Sequence, residues 1–268
     1  MKQEEQMKKL LIIATILLAL SSAFAERKAL VIANSAYDKV TLTSPGADAD
    51  DMQTALQNMG FSVTRVNNVT LPKLIAAVDT FSVHLKPVDN VVVYYSGFGT
   101  SKKDLNYLVP SGANLAVVQE KNIFYSVDTL AQKMKTAQTS ILILEASRPW
   151  APKGIKSPLP QNFVSMVSAA PKQAILFAAQ PGKGVQNPNL DKSLFTQTLL
   201  QQITTSDLGF NTLFAKTATA INLSTKTAQK PWMSNNLDPD FFFIDNQIKG
   251  MWKGMKSLDI EGGGSISW

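Results

Sequence analysis

The chain has 268 residues, no cysteine, one histidine and a formal net charge of +6. This excludes a disulfide framework, a CxxC redox pair, a cysteine nucleophile and a thiolate zinc cluster, and a single His84 excludes a multi-histidine metal site. Charged residues make up 17% and apolar residues 45%, which fits a globular protein with a large core and a surface rich in uncharged polar groups.

Residues 1–25 read as a secretory signal peptide. Lys8 and Lys9 precede an apolar run from Leu10 to Leu20, and Ala23 and Ala25 occupy the small positions of a cleavage site before Glu26. The run is shorter than the roughly 20 residues of a spanning helix, although a retained N-terminal anchor is the alternative. The expected location is the bacterial periplasm or the exterior. Residues 26–249 then form one domain, and residues 250–268 a C-terminal tail that Trp252 and Trp268 are able to dock.

Along the mature chain, 27–33 is a strand whose unbroken apolar stretch, Ala29 to Ala33, suits a central parallel position. A helix over 44–59 follows, with Met52, Ala55, Leu56 and Met59 at helical spacing and Asp48, Asp50 and Asp51 near its positive end. Gly60 stops it and 61–66 is a second strand. Thr70 caps a helix with Pro72 in its first turn and Leu74, Val78, Phe81 and Leu85 on its buried side. Residues 91–95 form a third strand and 105–109 a short extended excursion. A helix over 127–134 is capped by Ser126. Strands over 141–144 and 173–178, helices over 194–203 and 210–223, and a sixth strand over 241–244 complete the chain. Alternating strands and helices predict a three-layer α/β/α sandwich around a mostly parallel six-stranded sheet.

Ligands of open parallel sheets bind beyond the carboxyl ends of the strands. That directs attention to Asn34–Tyr37, to Ser96-Gly97-Phe98-Gly99-Thr100 and to Glu145-Ala146-Ser147-Arg148. The Gly-x-Gly pair lacks the third glycine of a dinucleotide fingerprint, and no GxxxxGK[ST] follows any strand, which argues against a nucleotide site. Basic residues are scattered rather than clustered with aromatics, which argues against nucleic acid. The acidic clusters have no convincing metal-ligand spacing, and no cofactor is expected.

These segments resemble bacterial caspase-like domains of the metacaspase and orthocaspase type, within the caspase-type clan of cysteine peptidases. The likeness runs over roughly residues 27–245. It rests on Arg27 to Tyr37, Asp48-Ala49-Asp50-Asp51-Met52, Gly60-Phe61-Ser62-Val63, Tyr94 to Gly99, Asn106 to Pro110, Glu145 to Arg148, Ala178 to Gly182, Phe195-Thr196 and Gln229 to Trp232. It implies a caspase-like fold. It also implies that Phe98 stands where relatives carry the dyad histidine and Ser147 where they carry the cysteine, with Glu145 in place of an aspartate. By the same resemblance the backbone N–H groups of Gly99 and Ser147 correspond to the oxyanion hole, and Asn34, Gly97, Glu145 and Arg148 are expected to line the former cleft.

A phenylalanine moves no proton, and a serine hydroxyl without an adjacent base is a feeble nucleophile. His84 lies late in a helix at the end of the sheet opposite the strand carboxyl ends, so it does not replace the missing base. The expectation is therefore a catalytically inactive pseudopeptidase that binds a peptide or protein segment, has no cofactor and is not integral to the membrane once the signal is removed. The alternative is a weak serine-dependent peptidase using Ser147.

Overall fold

The computed structural model describes residues 25–38, 40–113, 124–148, 162–163, 168–185, 190–205, 207–238 and 240–244. The signal segment up to residue 24 and the tail with Trp252 and Trp268 lie outside the described residues.

In chain order the strands are β1 (Arg27–Ala33), β2 (Ala36–Tyr37), β3 (Val40–Thr41), β4 (Ser62–Asn67), β5 (Asn90–Ser96), β6 (Gly99–Lys102), β7 (Leu105–Leu108), β8 (Tyr125–Ser126), β9 (Thr139–Glu145), β10 (Gln173–Phe177) and β11 (Trp232–Asn235). The helices are α1 (Ser44–Asn58), α2 (Leu71–Val83), α3 (Val127–Lys133), α4 (Leu194–Thr205) and α5 (Phe210–Ser224). The main sheet has the order β11-β10-β9-β5-β1-β4. Every pair is parallel except β10–β11. A hairpin of β2 and β3 and a small antiparallel sheet of β6, β7 and β8 sit beside it.

The apolar strands are central because both their faces are covered. Ala29, Val31, Val92, Tyr94, Ile141 and Ile143 pack under α1, α4 and α5. Leu30, Ile32, Val93, Tyr95, Leu142 and Leu144 pack under α2 and α3 on the other face. Alternate residues of each strand thus enter opposite layers, which is the period-two geometry of a strand within the predicted three-layer sandwich. No helix among the described residues is long and apolar enough to cross a membrane.

Three local expectations are corrected. Residues 241–244 are not a strand. Phe241 and Phe243 are buried against Phe61 and Phe210, but the backbone is tied differently: Phe241 O accepts from Phe210 N at 2.8 Å and Phe242 O from Arg27 Nη2 at 2.9 Å. The sixth strand is β11, half-buried and antiparallel at the sheet edge. Thr70 occupies the N-cap position of α2 without a side-chain capping bond. Asp48 does not serve as a first-turn charge of α1; it is buried and bonded to distant parts of the chain.

Ser126 does cap α3, accepting from Thr129 N at 3.4 Å. Pro72 lies in the first turn of α2, while Leu74, Val78 and Phe81 face the core.

Candidate functional site

The register of the sheet brings three strand ends to one level, with Ala33 opposite Ser96 and Ser96 opposite Glu145. Phe98 and Ser147 each lie two residues beyond the paired ends of β5 and β9. The turns that follow are laced together by backbone bonds. Asn34 N donates to Ser96 O at 2.9 Å, Gly97 N to Glu145 O at 3.2 Å and Gly99 N to Ala146 O at 2.7 Å. The Gly99 amide is thus already engaged by a carbonyl of the neighbouring turn.

Phe98 is fully buried. Its ring lies 4.6 Å from that of Tyr37, in a small cluster with Leu42 and Val109. Its backbone is equally occupied: the N–H donates to Tyr37 Oη at 2.9 Å, and the carbonyl accepts from Tyr95 Oη at 2.9 Å and Val109 N at 3.0 Å. Burial pushes the Tyr37 phenol up to about 12, so both tyrosines remain neutral hydrogen-bonding groups at ordinary pH. Gly97 has no room for a side chain, because a Cβ there would meet Tyr37 Oη and Tyr95 Oη, both at 2.6 Å. At Gly99 a Cβ would meet the Phe163 ring at 2.6 Å and Ala146 O at 2.8 Å. Phe163 itself is buried, edge-on to Phe177. Aromatic rings therefore pack closely around the Gly97–Gly99 turn.

Ser147 is also fully buried, and its hydroxyl makes no hydrogen bond among the described residues. Its carbonyl accepts from Val185 N at 2.7 Å. A nucleophilic serine needs a base within hydrogen-bonding reach; none of the described residues supplies one. His84 is exposed at the end of α2, its Nδ1 2.7 Å from Thr80 O. Lys28, near the start of β1, donates to His84 O, which places His84 at the opposite end of the sheet from Ser147.

Beneath these turns lies a buried ionic cluster. Arg148, only 1% exposed, donates to Ser44 Oγ at 2.5 Å, Ser96 Oγ at 3.0 Å and Asp48 Oδ2 at 3.4 Å. Its guanidinium also stands 3.5 Å from Glu145 Oε1. Asp48 accepts a further bond from Ser193 N at 2.7 Å. Glu145 is fully buried, and among the described residues neither carboxylate oxygen has a partner within hydrogen-bonding geometry, although the Ser193 side chain acts weakly to hold its pKa down. Two carboxyl groups thus share one guanidinium in a buried site. Desolvation raises Glu145 to about 7, opposed by the charge of Arg148 and assisted by that of Asp48. Asp48 is raised as well, again chiefly by burial, against its bond from Ser193 and the pull of Arg148. A proton held on Glu145 resolves the imbalance, leaving one charge pair.

The expected cleft residues are accordingly interior ones. Glu145 and Arg148 belong to the ionic cluster and Gly97 is enclosed by tyrosines. Asn34 ties loops together, its Nδ2 donating to Val109 O at 3.2 Å and its Oδ1 accepting from Val69 N at 3.0 Å. Sequence reasoning missed Tyr37 as the partner of the Phe98 amide, Ser44, Ser96 and Ser193 as members of the ionic cluster, and Phe163 as the packing partner of Gly99. Each comes from a distant part of the chain, and none carries a local signal. Among the described residues no group of three or more His, Asp or Glu side chains is placed to hold a metal ion.

The family model for the caspase domain, peptidase family C14, matches residues 26–242. Among curated proteins, none matches the chain. Its motifs, sheet order and family match agree: the chain belongs to the caspase-domain family, and without a cysteine it cannot use the thiol mechanism of that family.

Proposed function

We propose that this is an exported, catalytically inactive caspase-domain protein that acts by binding a peptide or protein segment. The observation that carries the reading is the state of the dyad region: the residues at both positions are buried, one packed as an aromatic and the other, among the described residues, without a base. Interior packing is a stabilising use of that region rather than a catalytic one. Recognition then falls on the outer surface of the fold.

The surface suited to an extended segment is the edge of β4. Among the described residues β4 pairs only with β1, so its other edge meets no strand. Beside it runs a groove of about 460 Å³ lined by Lys28, Thr64, Val66, Ala77, Phe81 and His84. An unpaired edge offers main-chain hydrogen bonds to an incoming strand, while an adjacent groove takes alternate side chains.

The test is to screen the purified mature protein against one library of extended peptides for both binding and hydrolysis. Binding that is weakened by Thr64→Arg, with no turnover, supports the reading. Turnover that disappears in Ser147→Ala overturns the inactive assignment, and absence of binding across the library overturns the recognition role.

A further inference from the structure

Glu26 follows Ala25, the last residue of the expected leader, and its backbone N–H donates to Asp89 Oδ1 at 3.2 Å. Its carbonyl accepts from Asn90 N at 2.9 Å, so Glu26 is held from both sides at the start of β5. Asp89 is fully buried. Its Oδ2 accepts from Lys28 Nζ at 2.8 Å and from Lys86 N at 2.9 Å. The Glu26 side chain joins the same group, 2.9 Å from Lys86 Nζ and 3.1 Å from Lys28 Nζ. The bond that a signal-peptide-cleaving protease would hydrolyse is therefore the one that carries the nitrogen on Asp89.

We propose that cleavage between Ala25 and Glu26 is a maturation step that converts a neutral hydrogen bond into an ion pair, the new Glu26 ammonium resting on the Asp89 carboxylate. The proposal rests on the export reading. In the hydrolysis, water adds across the peptide bond: its oxygen stays on the Ala25 carboxylate and its protons serve the departing nitrogen, which is protonated as an ammonium at neutral pH. No other reactant is needed. The precursor offers Asp89 a neutral N–H at this position, and the mature chain offers it a full positive charge. A charge-assisted bond to a buried carboxylate is stronger than a neutral one. Removal of the leader thus tightens the sheet where β1 and β5 begin.

The charges around the ammonium set its titration. Asp89 and the Glu26 carboxylate favour the charged form, while Lys28 on β1 and Lys86 before β5 oppose it; His84, at the end of α2, lies beyond Lys28. The Asp89 carboxylate lies within hydrogen-bond distance of the nitrogen, at 3.2 Å. Burial raises the Asp89 carboxyl, but Lys28 and the amides of Lys86 and Glu26 outweigh this and hold it below the ordinary range. Asp89 is therefore ionised throughout the pH range in which the amine titrates. An ammonium favoured in the fold contributes its stability fully below the ordinary α-amino range of about 7.7–8.0, and that contribution fades as pH rises through its higher folded value.

Three measurements on the protein exported from the full-length precursor test this. Mass spectrometry should find Glu26 as the first residue; any other N-terminus, or a retained leader, overturns the processing step independently of peptide binding. The amine should bind its proton about threefold or more tightly than in the unfolded chain, read from the pH dependence of amine labelling. In Asp89→Asn this affinity should fall to or below the unfolded value, because Lys28 and Lys86 remain. An unchanged affinity in the variant overturns the ion pair. Should Asp89→Asn fail to fold, the Nα-acetylated mature chain, which keeps the N–H and loses only the charge, decides. It should melt lower than the free amine at about pH 7 and equally at about pH 10. Equal melting at both pH values overturns the proposal.

Discussion

Replacing Glu145 with glutamine tests the electrostatics of the sealed centre. Glutamine keeps the shape and one acceptor oxygen facing Arg148 but cannot ionise. In the wild type, Glu145 is fully buried, 3.5 Å from the guanidinium, and raised from 4.5 to about 7 chiefly by desolvation. A folded value above the unfolded one means that folding retains a proton. The associated stability is fully present below about pH 4.5 and is lost as pH rises through about 7. At 1.36 kcal/mol for each pH unit of displacement, the loss is about 3 kcal/mol. Burying the glutamine amide costs about 1 kcal/mol of that gain. Glu145→Gln should therefore be more stable than wild type by about 1–3 kcal/mol at about pH 8, and equal to it or slightly less stable at about pH 5. Urea unfolding followed by tryptophan fluorescence gives the difference at each pH. Asp51 and Asp89, which lie outside this cluster, titrate in both proteins and largely cancel. A variant that is destabilised more at pH 8 than at pH 5 would refute the reasoning, since the ionised Glu145–Arg148 pair would then be a net stabilising contact.

Arg148→Met should cost about 3–5 kcal/mol at neutral pH, because it strands two buried carboxyl groups, and adding Glu145→Gln should recover part of that loss in the same urea assay. Gly97→Ala should lower stability by about 1–3 kcal/mol, as its Cβ meets two tyrosine oxygens at 2.6 Å. Gly46→Ala, where nothing lies within 4 Å of the added carbon, should be neutral or stabilising by up to about 1 kcal/mol in parallel thermal melts. Reinstating both dyad side chains, Phe98→His with Ser147→Cys, should yield no peptide turnover, and hydrolysis by that double variant would contradict the view that the packing around both positions excludes a working dyad.

The central strands were legible because they are buried on both faces and so read as unbroken apolar runs, as in Leu30-Val31-Ile32 and Val91-Val92-Val93. β11 was not, since Trp232-Met233-Ser234-Asn235 is a short, half-buried edge with a mixed pattern. The run Phe241-Phe242-Phe243-Ile244 carries the apolarity of a strand, yet it covers the core as irregular chain whose carbonyls are met by a helix start and an arginine. At the site, motif order located Phe98 and Ser147 two residues beyond neighbouring strand ends. It did not reveal the fate of Arg148 or Asp48. Arginine is rarely buried, and an aspartate early in a helix ordinarily serves the helix dipole. Their pairing joins residues 100 positions apart, and only the folded chain displays it.

The absence of the two dyad side chains and the dense packing around their positions belong together physically. A working nucleophile and its base need hydration, mutual hydrogen bonding and an unengaged oxyanion donor, all of which leave polar groups imperfectly satisfied in a concave site. Once neither a thiol nor an imidazole is present, nothing offsets that cost, and the stable arrangement fills the space. Phe98 joins the Tyr37 ring, Gly99 N bonds to Ala146 O, and Phe163 packs against the glycine. These contacts depend on one another. Phe98 sits where it does because Tyr37 and Tyr95 hold its backbone, and Gly97 must be a glycine because those same hydroxyls occupy its side-chain space. Restoring histidine would put a polar ring into this apolar cluster while leaving the Gly99 amide engaged. The missing cysteine removes the family's chemistry, and the surrounding packing makes its return a problem of the whole strand-end layer rather than of two residues.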